Sequence, residues 1–227
     1  MRFGLQKTSL VDYPGHVAAT LFTYGCSLRC PFCHNPELVT GGEPQEFTDE
    51  LAVLALLERR RSVLQGVCIT GGEPLLHLDL GRVIRRIRAL GLKIKLDTSG
   101  IFPERLRELL QEGLLDYVAV DIKTTPGRYD ELQGDGTKVL RAVEDLRSSD
   151  VAYELRATAA PGFVDREYAE WLAEFLLPEE RFYLQQYRPG HTLDPRFGER
   201  RAYTPAELEE LQALLEEKKR HALMRGV

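Results

Sequence analysis

Three cysteines lie within eight residues near the start of the chain, and this cluster constrains both fold and chemistry. Residues 25–35 read Gly-Cys-Ser-Leu-Arg-Cys-Pro-Phe-Cys-His-Asn. Positions i, i+4 and i+7 of this segment are Cys26, Cys30 and Cys33, a spacing that on a helix would form one buried face. However, Pro31 lies inside the run, and proline in a helix interior costs about 3 kcal/mol. The sequence therefore predicts a loop with three thiolates, the ligands that iron–sulfur clusters and zinc select.

The number of thiolates bears on which metal this loop binds. A structural zinc site closes its tetrahedron with four protein ligands. The candidates for a fourth ligand are His34, which is adjacent to Cys33 in the sequence, and the distant Cys68. Three thiolates alone leave one coordination position open, whereas a [4Fe-4S] cluster held by three cysteines keeps one iron free to bind another molecule.

The spacing Cys-x3-Cys-x-aromatic-Cys, with Phe32 as the aromatic residue, resembles the cluster loop of the radical S-adenosylmethionine enzymes. This resemblance implies that Cys26, Cys30 and Cys33 bind a catalytic [4Fe-4S] cluster. It also implies that the free iron binds the amino and carboxylate groups of S-adenosylmethionine. An electron, expected from a flavodoxin or ferredoxin type donor, would then cleave the sulfonium and give a 5′-deoxyadenosyl radical that abstracts hydrogen.

Length and charge set the broad class of the protein. With 227 residues and 43% hydrophobic content, we expect one globular domain over residues 1–227. The net charge of −5 and the mixed signs along the chain suggest neither nucleic acid nor a membrane as a partner. The first residues lack an apolar signal segment, and no apolar run reaches roughly 18 residues. These features predict a cytoplasmic protein whose cysteines stay reduced.

Short apolar runs alternate with charged amphipathic segments, which is typical of βα units. The predicted strands are residues 17–23, 66–70, 92–97, 117–123, 151–157 and 181–186. The predicted helices are residues 48–61, 78–90, 103–112, 138–147 and 165–175, followed by a last helix that begins after its cap Thr204 and ends near Lys218, Lys219 and Arg220. In the first of these helices, the residues predicted to face inward are Leu51, Leu54, Ala55 and Leu57. Six βα units are two fewer than a closed barrel needs, so we expect an α/β fold with an open partial (βα)6 barrel. The resemblance implies the same architecture, with the active site at the C-terminal ends of the strands.

A glycine-rich motif follows the second predicted strand. Residues 70–74 read Thr-Gly-Gly-Glu-Pro, a composition that also suits an ordinary tight turn. Beside the cysteine loop, this motif resembles the one whose backbone holds the amino group of S-adenosylmethionine in the same superfamily. By this resemblance, Gly71 and Gly72 permit close backbone approach, and Glu73 adds a carboxylate near that amino group.

The next two predicted strands also end in polar motifs, Asp-Thr-Ser-Gly at 97–100 and Asp-Ile-Lys at 121–123. Each alone suits a solvated strand end with an Asx or Ser/Thr turn. Together they resemble the glycyl-radical activating enzymes, a branch of the superfamily. The resemblance implies that Asp97, Thr98 and Asp121 help hold a monovalent cation near the methionyl carboxylate, for which hard oxygen ligands are suited. Lys123 would reach that carboxylate.

Three further residues lie in or after the predicted strands. Arg156, in the middle of the fifth strand, is either paired with a neighbour in the sheet or directed into the barrel, and the resemblance favours contact with S-adenosylmethionine. Arg188 belongs to the segment Gln-Gln-Tyr-Arg-Pro-Gly, whose polar groups suit contact with adenine, ribose or substrate. Cys68, within an apolar strand, is predicted to be a buried small residue.

The segment 5–15, Leu-Gln-Lys-Thr-Ser-Leu-Val-Asp-Tyr-Pro-Gly, together with the cysteine loop, is similar to anaerobic ribonucleoside-triphosphate reductase activating proteins. This resemblance implies that hydrogen is abstracted from a glycine of a separate anaerobic ribonucleotide reductase chain, which then stores a glycyl radical. Many activases carry an inserted domain with further cysteines, whereas only Cys68 lies outside the loop here. Two alternatives stay open: a radical enzyme acting on a small molecule or another protein, and a structural iron–sulfur or zinc protein.

Overall fold

The computed structural model describes residues 1–40, 44–218 and 222–226, and their strands form one sheet of nine strands. The order across the sheet is β3-β1-β2-β4-β5-β6-β7-β8-β9. The strands are β1 (Arg2–Ser9), β2 (Ala18–Thr23), β3 (Thr48–Asp49), β4 (Gly66–Gly71), β5 (Lys93–Thr98), β6 (Tyr117–Asp121), β7 (Ala152–Ala159), β8 (Phe182–Gln186) and β9 (Ala222–Arg225).

Helices connect the parallel strands and cover the sheet. They are α1 (Pro36–Thr40), α2 (Glu50–Arg60), α3 (Leu80–Arg88), α4 (Pro103–Gln111), α5 (Gly136–Arg147), α6 (Arg166–Phe175), α7 (Pro195–Gly198) and α8 (Pro205–Glu217), with 3-10 helices at Pro74–Leu76 and Pro126–Leu132. Asp165 caps α6, and Thr204 and Glu207 form a capping box on α8. None of the helices among these described residues is both long and apolar enough to cross a membrane.

The six predicted strands correspond to β2 and β4 to β8, and these pair in parallel in that order. The prediction of an open partial α/β barrel is therefore confirmed. The sequence analysis missed β1 and β3, which pair antiparallel at one edge, and the short parallel β9 at the other. The last helix ends at Glu217, and the predicted basic residues Lys219 and Arg220 lie outside the described residues.

The inner face of α2 differs from the prediction. Val53 and Leu57 are buried, whereas Leu51 is 68% exposed and Ala55 is also exposed. The segment from Glu50 to Leu57 is apolar at almost every position, so its periodicity does not define one face. Glu50 lies on the buried face with Val53 and Leu57, and its carboxylate accepts hydrogen bonds from two arginines of α3.

The parallel register brings equivalent strand ends to one edge of the sheet. Thr23 pairs with Gly71, and Asp121 pairs with Arg156. On β5, Lys95 and Asp97 are two residues apart and therefore point to the same face of the strand. The polar motifs of β4, β5 and β6 thus meet at the C-terminal edge, where the sequence predicted the active site.

Candidate active site

The C-terminal ends of the central strands surround a cavity of about 220 Å³. Most of the predicted site residues line it: Cys26, Cys30, Phe32, Cys33, Gly71, Gly72, Asp97, Thr98, Asp121 and Lys123. Three others, Glu73, Arg156 and Arg188, do not belong to this lining. The cavity therefore brings together motifs that lie almost 100 residues apart in the chain.

The cysteine segment forms an irregular loop between β2 and α1, as the proline predicted. Cys30 is buried, while Cys26 and Cys33 are partly exposed. Burial raises the pKa of the Cys30 thiol to about 12 and also raises the pKa of Cys26. A metal centre binds thiolates, so assembly on this loop must release the thiol protons.

Three cysteines on one cavity wall match the donor set of an iron–sulfur cluster. Across the described ranges, no set of three or more histidine, cysteine, aspartate or glutamate side chains is arranged around a single metal ion. The ligands of a [4Fe-4S] cluster bind different irons, so they need only border a shared space. The side chains of the loop therefore fit the cluster that the sequence predicted.

Gly71 and Gly72 are required where the end of β4 packs against the end of β2 and the start of the cysteine loop. Gly71 has a φ of +113°, and a Cβ there would lie 2.5 Å from main-chain atoms of Thr23. A Cβ on Gly72 would lie 2.1 Å from the carbonyl oxygen of Gly25. The N–H of Gly72 donates to Thr23, and the N–H of Glu73 donates to Gly25, each over 2.8 Å. The close approach that glycine permits is thus made by the protein's own backbone.

The Glu73 carboxylate holds two strand ends together. The side chain is fully buried and accepts hydrogen bonds from the Leu75 N–H at 3.0 Å and the Thr98 hydroxyl at 2.8 Å. The N–H and hydroxyl of Ser99 also donate to it. We predicted this carboxylate beside the cofactor amino group, but its oxygens are used instead to join the end of β4 to the end of β5.

Arg156 bridges the two predicted cation ligands. Its Nε and Nη2 donate to the Asp121 carboxylate at 2.9 and 3.2 Å, and its Nη1 donates to Asp97 at 3.1 Å. The arginine side chain is 11% exposed. Of the two interpretations open for Arg156, pairing with sheet neighbours is the one observed.

Two lysines complete this group of charges. The Lys95 ammonium contacts Asp97, and Lys123 Nζ lies 3.8 Å from Asp121 Oδ2. Although burial acts in the opposite direction, Arg156 and then Lys123 lower the pKa of Asp121. Sequence reasoning missed Lys95, which is only 2% exposed. Its spacing of two residues from Asp97 on one strand was the signal that could have found it.

A second loop, residues 187–200, lies against the cysteine loop. The N–H groups of Leu193 and Asp194 donate to the carbonyl oxygens of Cys33 and Pro31 at 3.0 and 3.1 Å. Arg188 lies in this loop with an exposed side chain, and its carbonyl oxygen is 2.6 Å from His34 Nε2. This 187–200 loop fixes the position of the outer part of the cysteine loop.

Aromatic rings fill the space between these two loops. Phe32, only 4% exposed, packs with its ring centroid 5.1 Å from that of Phe163 and 5.8 Å from that of Phe197. Tyr187 contacts Phe197 edge-on at 5.4 Å and donates a hydrogen bond to its carbonyl oxygen. The aromatic residue of the cysteine motif is thus anchored in a buried cluster beside the cavity.

Comparison with known proteins agrees with this arrangement. The profile of the Radical SAM superfamily matches residues 20–175, which includes the cysteine loop and the motifs of β4 to β6. The chain belongs to the Radical SAM superfamily. The match covers more than half of the 227 residues and extends to the end of α6.

Individual relatives refine this placement. The radical SAM chain is 30% identical over 206 residues to a Methanocaldococcus jannaschii protein assigned as a glycyl-radical enzyme activating enzyme, covering 86% of this chain and 82% of the relative. It is 29% identical over 204 residues to the pyruvate formate-lyase-activating enzyme of Staphylococcus epidermidis, covering 83% and 80%. A solved domain of such an activating enzyme from Bacteroides vulgatus superposes with a TM-score of 0.56 at 21% identity, covering 71% of this chain and 99% of that domain.

Membership in this family makes the protein an enzyme that uses a [4Fe-4S] cluster and S-adenosylmethionine. The Methanocaldococcus jannaschii and Staphylococcus epidermidis relatives carry the names of glycyl-radical activating enzymes, the branch that the Asp-Thr and Asp-x-Lys motifs predicted. The family, fold class and these two cofactors are therefore confirmed. The fit of the cavity rests on the cysteine thiols on one wall and the ammonium of Lys123 on another.

Proposed function

We propose that this enzyme forms a glycyl radical on an anaerobic ribonucleotide reductase. When bound, the cluster supplies the electron that cleaves S-adenosylmethionine to a 5′-deoxyadenosyl radical. One observation carries the proposal: the three cysteines line the same cavity as the Asp97, Asp121 and Lys123 motifs of the activating branch. We propose that Cys26, Cys30 and Cys33 hold the cluster.

The remaining cavity residues would bind and orient S-adenosylmethionine. Lys123 presents a cation to the cavity, which suits the methionyl carboxylate. The main chain at Gly71 and Gly72 borders the cavity and is suited to the amino group. Glu73 would act indirectly, by fixing Thr98 in place. For Arg188 we propose contact with substrate protein, because its side chain is exposed on the loop beside the cysteines.

The choice of ribonucleotide reductase rests on the similarity of residues 5–36 to reductase activating proteins. Relatives named for pyruvate formate-lyase make that enzyme type a second candidate substrate. We further propose a flavodoxin or ferredoxin type electron donor and action in the cytoplasm, where thiols stay reduced. The continuous sheet of the described residues supports a single domain over residues 1–227.

Electron paramagnetic resonance tests this function. The reconstituted enzyme is reduced under strict anaerobiosis and mixed with S-adenosylmethionine and the anaerobic reductase of the same cell. We expect a glycyl-radical doublet on the reductase, and none with a reductase whose radical glycine is replaced by alanine. The Cys30→Ala enzyme should give no doublet.

A further mixture, in which a pyruvate formate-lyase type protein replaces the reductase, separates the alternatives. A doublet with a pyruvate formate-lyase type protein, but not with the reductase, would move the proposal to that substrate. Cleavage of S-adenosylmethionine without a doublet on either protein would favour a small-molecule substrate. Absence of both cluster assembly and cleavage would favour a structural metal protein.

A further inference from the structure

The carboxylates of Asp97 and Asp121 already have cationic partners from the chain itself. Arg156 donates to both oxygens of Asp121 and to Oδ2 of Asp97. The other oxygen of Asp97 contacts Lys95, and Asp121 Oδ2 also faces Lys123. Every oxygen of the two carboxylates therefore faces a guanidinium or an ammonium group.

The hydroxyl of Thr98, the third residue that the resemblance assigned to a cation, also has hydrogen-bond partners within the protein. Its hydroxyl donates to Glu73 Oε1 at 2.8 Å and accepts from the N–H of Gly100 at 3.1 Å. The side chain is buried beside the fully buried Glu73. An ion at this oxygen would have to share it with the N–H of Gly100.

In the ion pairs around Arg156, cationic side chains outnumber carboxylates. Its one further acidic neighbour among the described ion pairs, Glu154, lies 3.9 Å away and accepts two hydrogen bonds from Arg225. Three carboxylates thus face four cations, namely Lys95, Lys123, Arg156 and Arg225. Within these ion pairs the cationic groups outnumber the carboxylates by one, and an added cation would increase that excess.

We propose that the guanidinium of Arg156 takes the place of a monovalent cation here, so that S-adenosylmethionine binds to this enzyme without added Na⁺ or K⁺. The planar fork suits this position, because it reaches two carboxylates at once and keeps its charge at any physiological pH. The inference rests on the proposed function only in placing the methionyl group in this cavity.

The test compares cations in two measurements that need no reductase. Binding of S-adenosylmethionine to the reconstituted enzyme is measured in KCl, NaCl and choline chloride at constant ionic strength. The unfolding temperature of the cluster-free protein is measured in the same salts. For the unmodified enzyme we expect the same dissociation constant and unfolding temperature in all three salts.

Arg156→Gln should make the binding of S-adenosylmethionine depend on the cation of the salt. Without the guanidinium, we expect binding in choline chloride to weaken about tenfold, and K⁺ or Na⁺ to recover a large part of this loss. The unfolding temperature of the cluster-free Arg156→Gln protein should rise when choline is exchanged for K⁺ or Na⁺. The matched control is Arg147→Gln, which removes a guanidinium of similar exposure from the buried Glu180, remote from the cavity. It should show no response to the cation.

A binding constant of the unmodified enzyme that improves tenfold or more on adding K⁺ or Na⁺ would overturn the proposal. So would a folded Arg156→Gln variant whose binding is weak and equal in all salts. If that variant does not fold, the salt series on the unmodified enzyme still decides the question. Failure of the glycyl-radical assay leaves both measurements unaffected, so the two proposals fail separately.

Discussion

Gly72 packs directly onto Gly25, and there is no room for a side chain between them. A Cβ on Gly72 would lie 2.1 Å from the Gly25 carbonyl oxygen and 2.8 Å from its carbonyl carbon. Both atoms belong to the main chain, so they cannot move aside without moving the start of the cysteine loop. The end of β4 therefore determines where Cys26 lies.

Gly72→Ala should displace the cysteine loop. We expect the free energy of unfolding to fall by about 1–3 kcal/mol, the usual cost of overpacking. Reconstituted iron should also fall, because the loop no longer presents its thiols to one cavity. Urea unfolding and iron analysis measure the two effects.

Gly127→Ala is the control for this substitution, because nothing lies within 4 Å of a Cβ at that position and its φ is not positive. It should leave both stability and iron content close to those of the unmodified protein. A Gly72→Ala protein with normal stability and full iron would show that the contact with Gly25 can relax without cost.

The cysteine substitutions distinguish cluster ligands from a buried thiol. Alanine at Cys26, Cys30 or Cys33 should abolish a full four-iron cluster, because thiolate is the required ligand. Cys68→Ala should keep it, since Cys68 is fully buried in β4 and its sulfur lies 3.8 Å from Lys95 Nζ, outside the cavity lining. Iron and sulfide analysis after anaerobic reconstitution gives the answer. A complete cluster in Cys30→Ala would refute the ligand assignment.

The sequence predicted which positions lie together at one edge of the sheet where the order of the strands is simple. Cys26, Asp97, Asp121 and Lys123 each follow or end an apolar run, and parallel strands bring such positions to one edge. The strand β1 was missed because residues 6–8, Gln-Lys-Thr, are polar and exposed, so its pattern resembles a loop. The strand β9 has only four residues, too few for a clear periodicity.

Long-range partners could not be predicted in this way. The hydrogen bond from Leu193 to Cys33 joins positions 160 residues apart and involves main-chain atoms, which carry no side-chain signal. The choice of Arg156 between a sheet neighbour and a ligand depends on the register that pairs it with Asp121. The hydrogen-bond donors to Glu73, Thr98 and Ser99, lie at the end of the next strand, so the sequence around Glu73 does not indicate that its carboxylate is already bound.

The pairing of Glu50 with α3 should make stability depend on pH. The hydrogen bond from Arg82 is the largest cause that lowers the pKa of Glu50 to about 2, and the Met1 ammonium and Arg86 lower it further, while burial acts in the opposite direction. A carboxylate with a depressed folded-state pKa stabilises the fold fully above its unfolded pKa of about 4.3, and this contribution is lost as pH falls through about 2.

Glu50→Gln should therefore lower the free energy of unfolding by about 1.5–3 kcal/mol at neutral pH, the range for hydrogen bonds to charged groups. The difference from the unmodified protein should shrink between about pH 4 and pH 2. Urea unfolding over this range measures it. Asp49→Asn is the control, because that side chain is 79% exposed and should contribute little. A difference that does not change with pH would mean that Glu50 acts through packing alone.

The 187–200 loop should protect the cluster on the side of Cys33. The loop is closed at its base by the Gly190 N–H, which donates to the Gly198 carbonyl at 2.9 Å. A Cβ on Gly198 would lie 2.0 Å from the Gly190 carbonyl oxygen, so Gly198→Ala must open this closure. Opening would draw Leu193 away from the Cys33 carbonyl and expose that side of the cysteine loop to solvent.

We expect the Gly198→Ala protein to assemble its cluster but to lose it several times faster in air, with a shifted reduction potential, because solvent exposure and nearby hydrogen bonds tune both properties. Gly66→Ala is the control: a Cβ there would lie 2.8 Å from the Tyr13 ring and 3.0 Å from the Lys93 carbonyl oxygen, a milder clash at the opposite end of β4. It should lower stability without changing the potential. Equal effects of the two substitutions on the cluster would show that general destabilisation, and not the contact with Cys33, controls its lifetime.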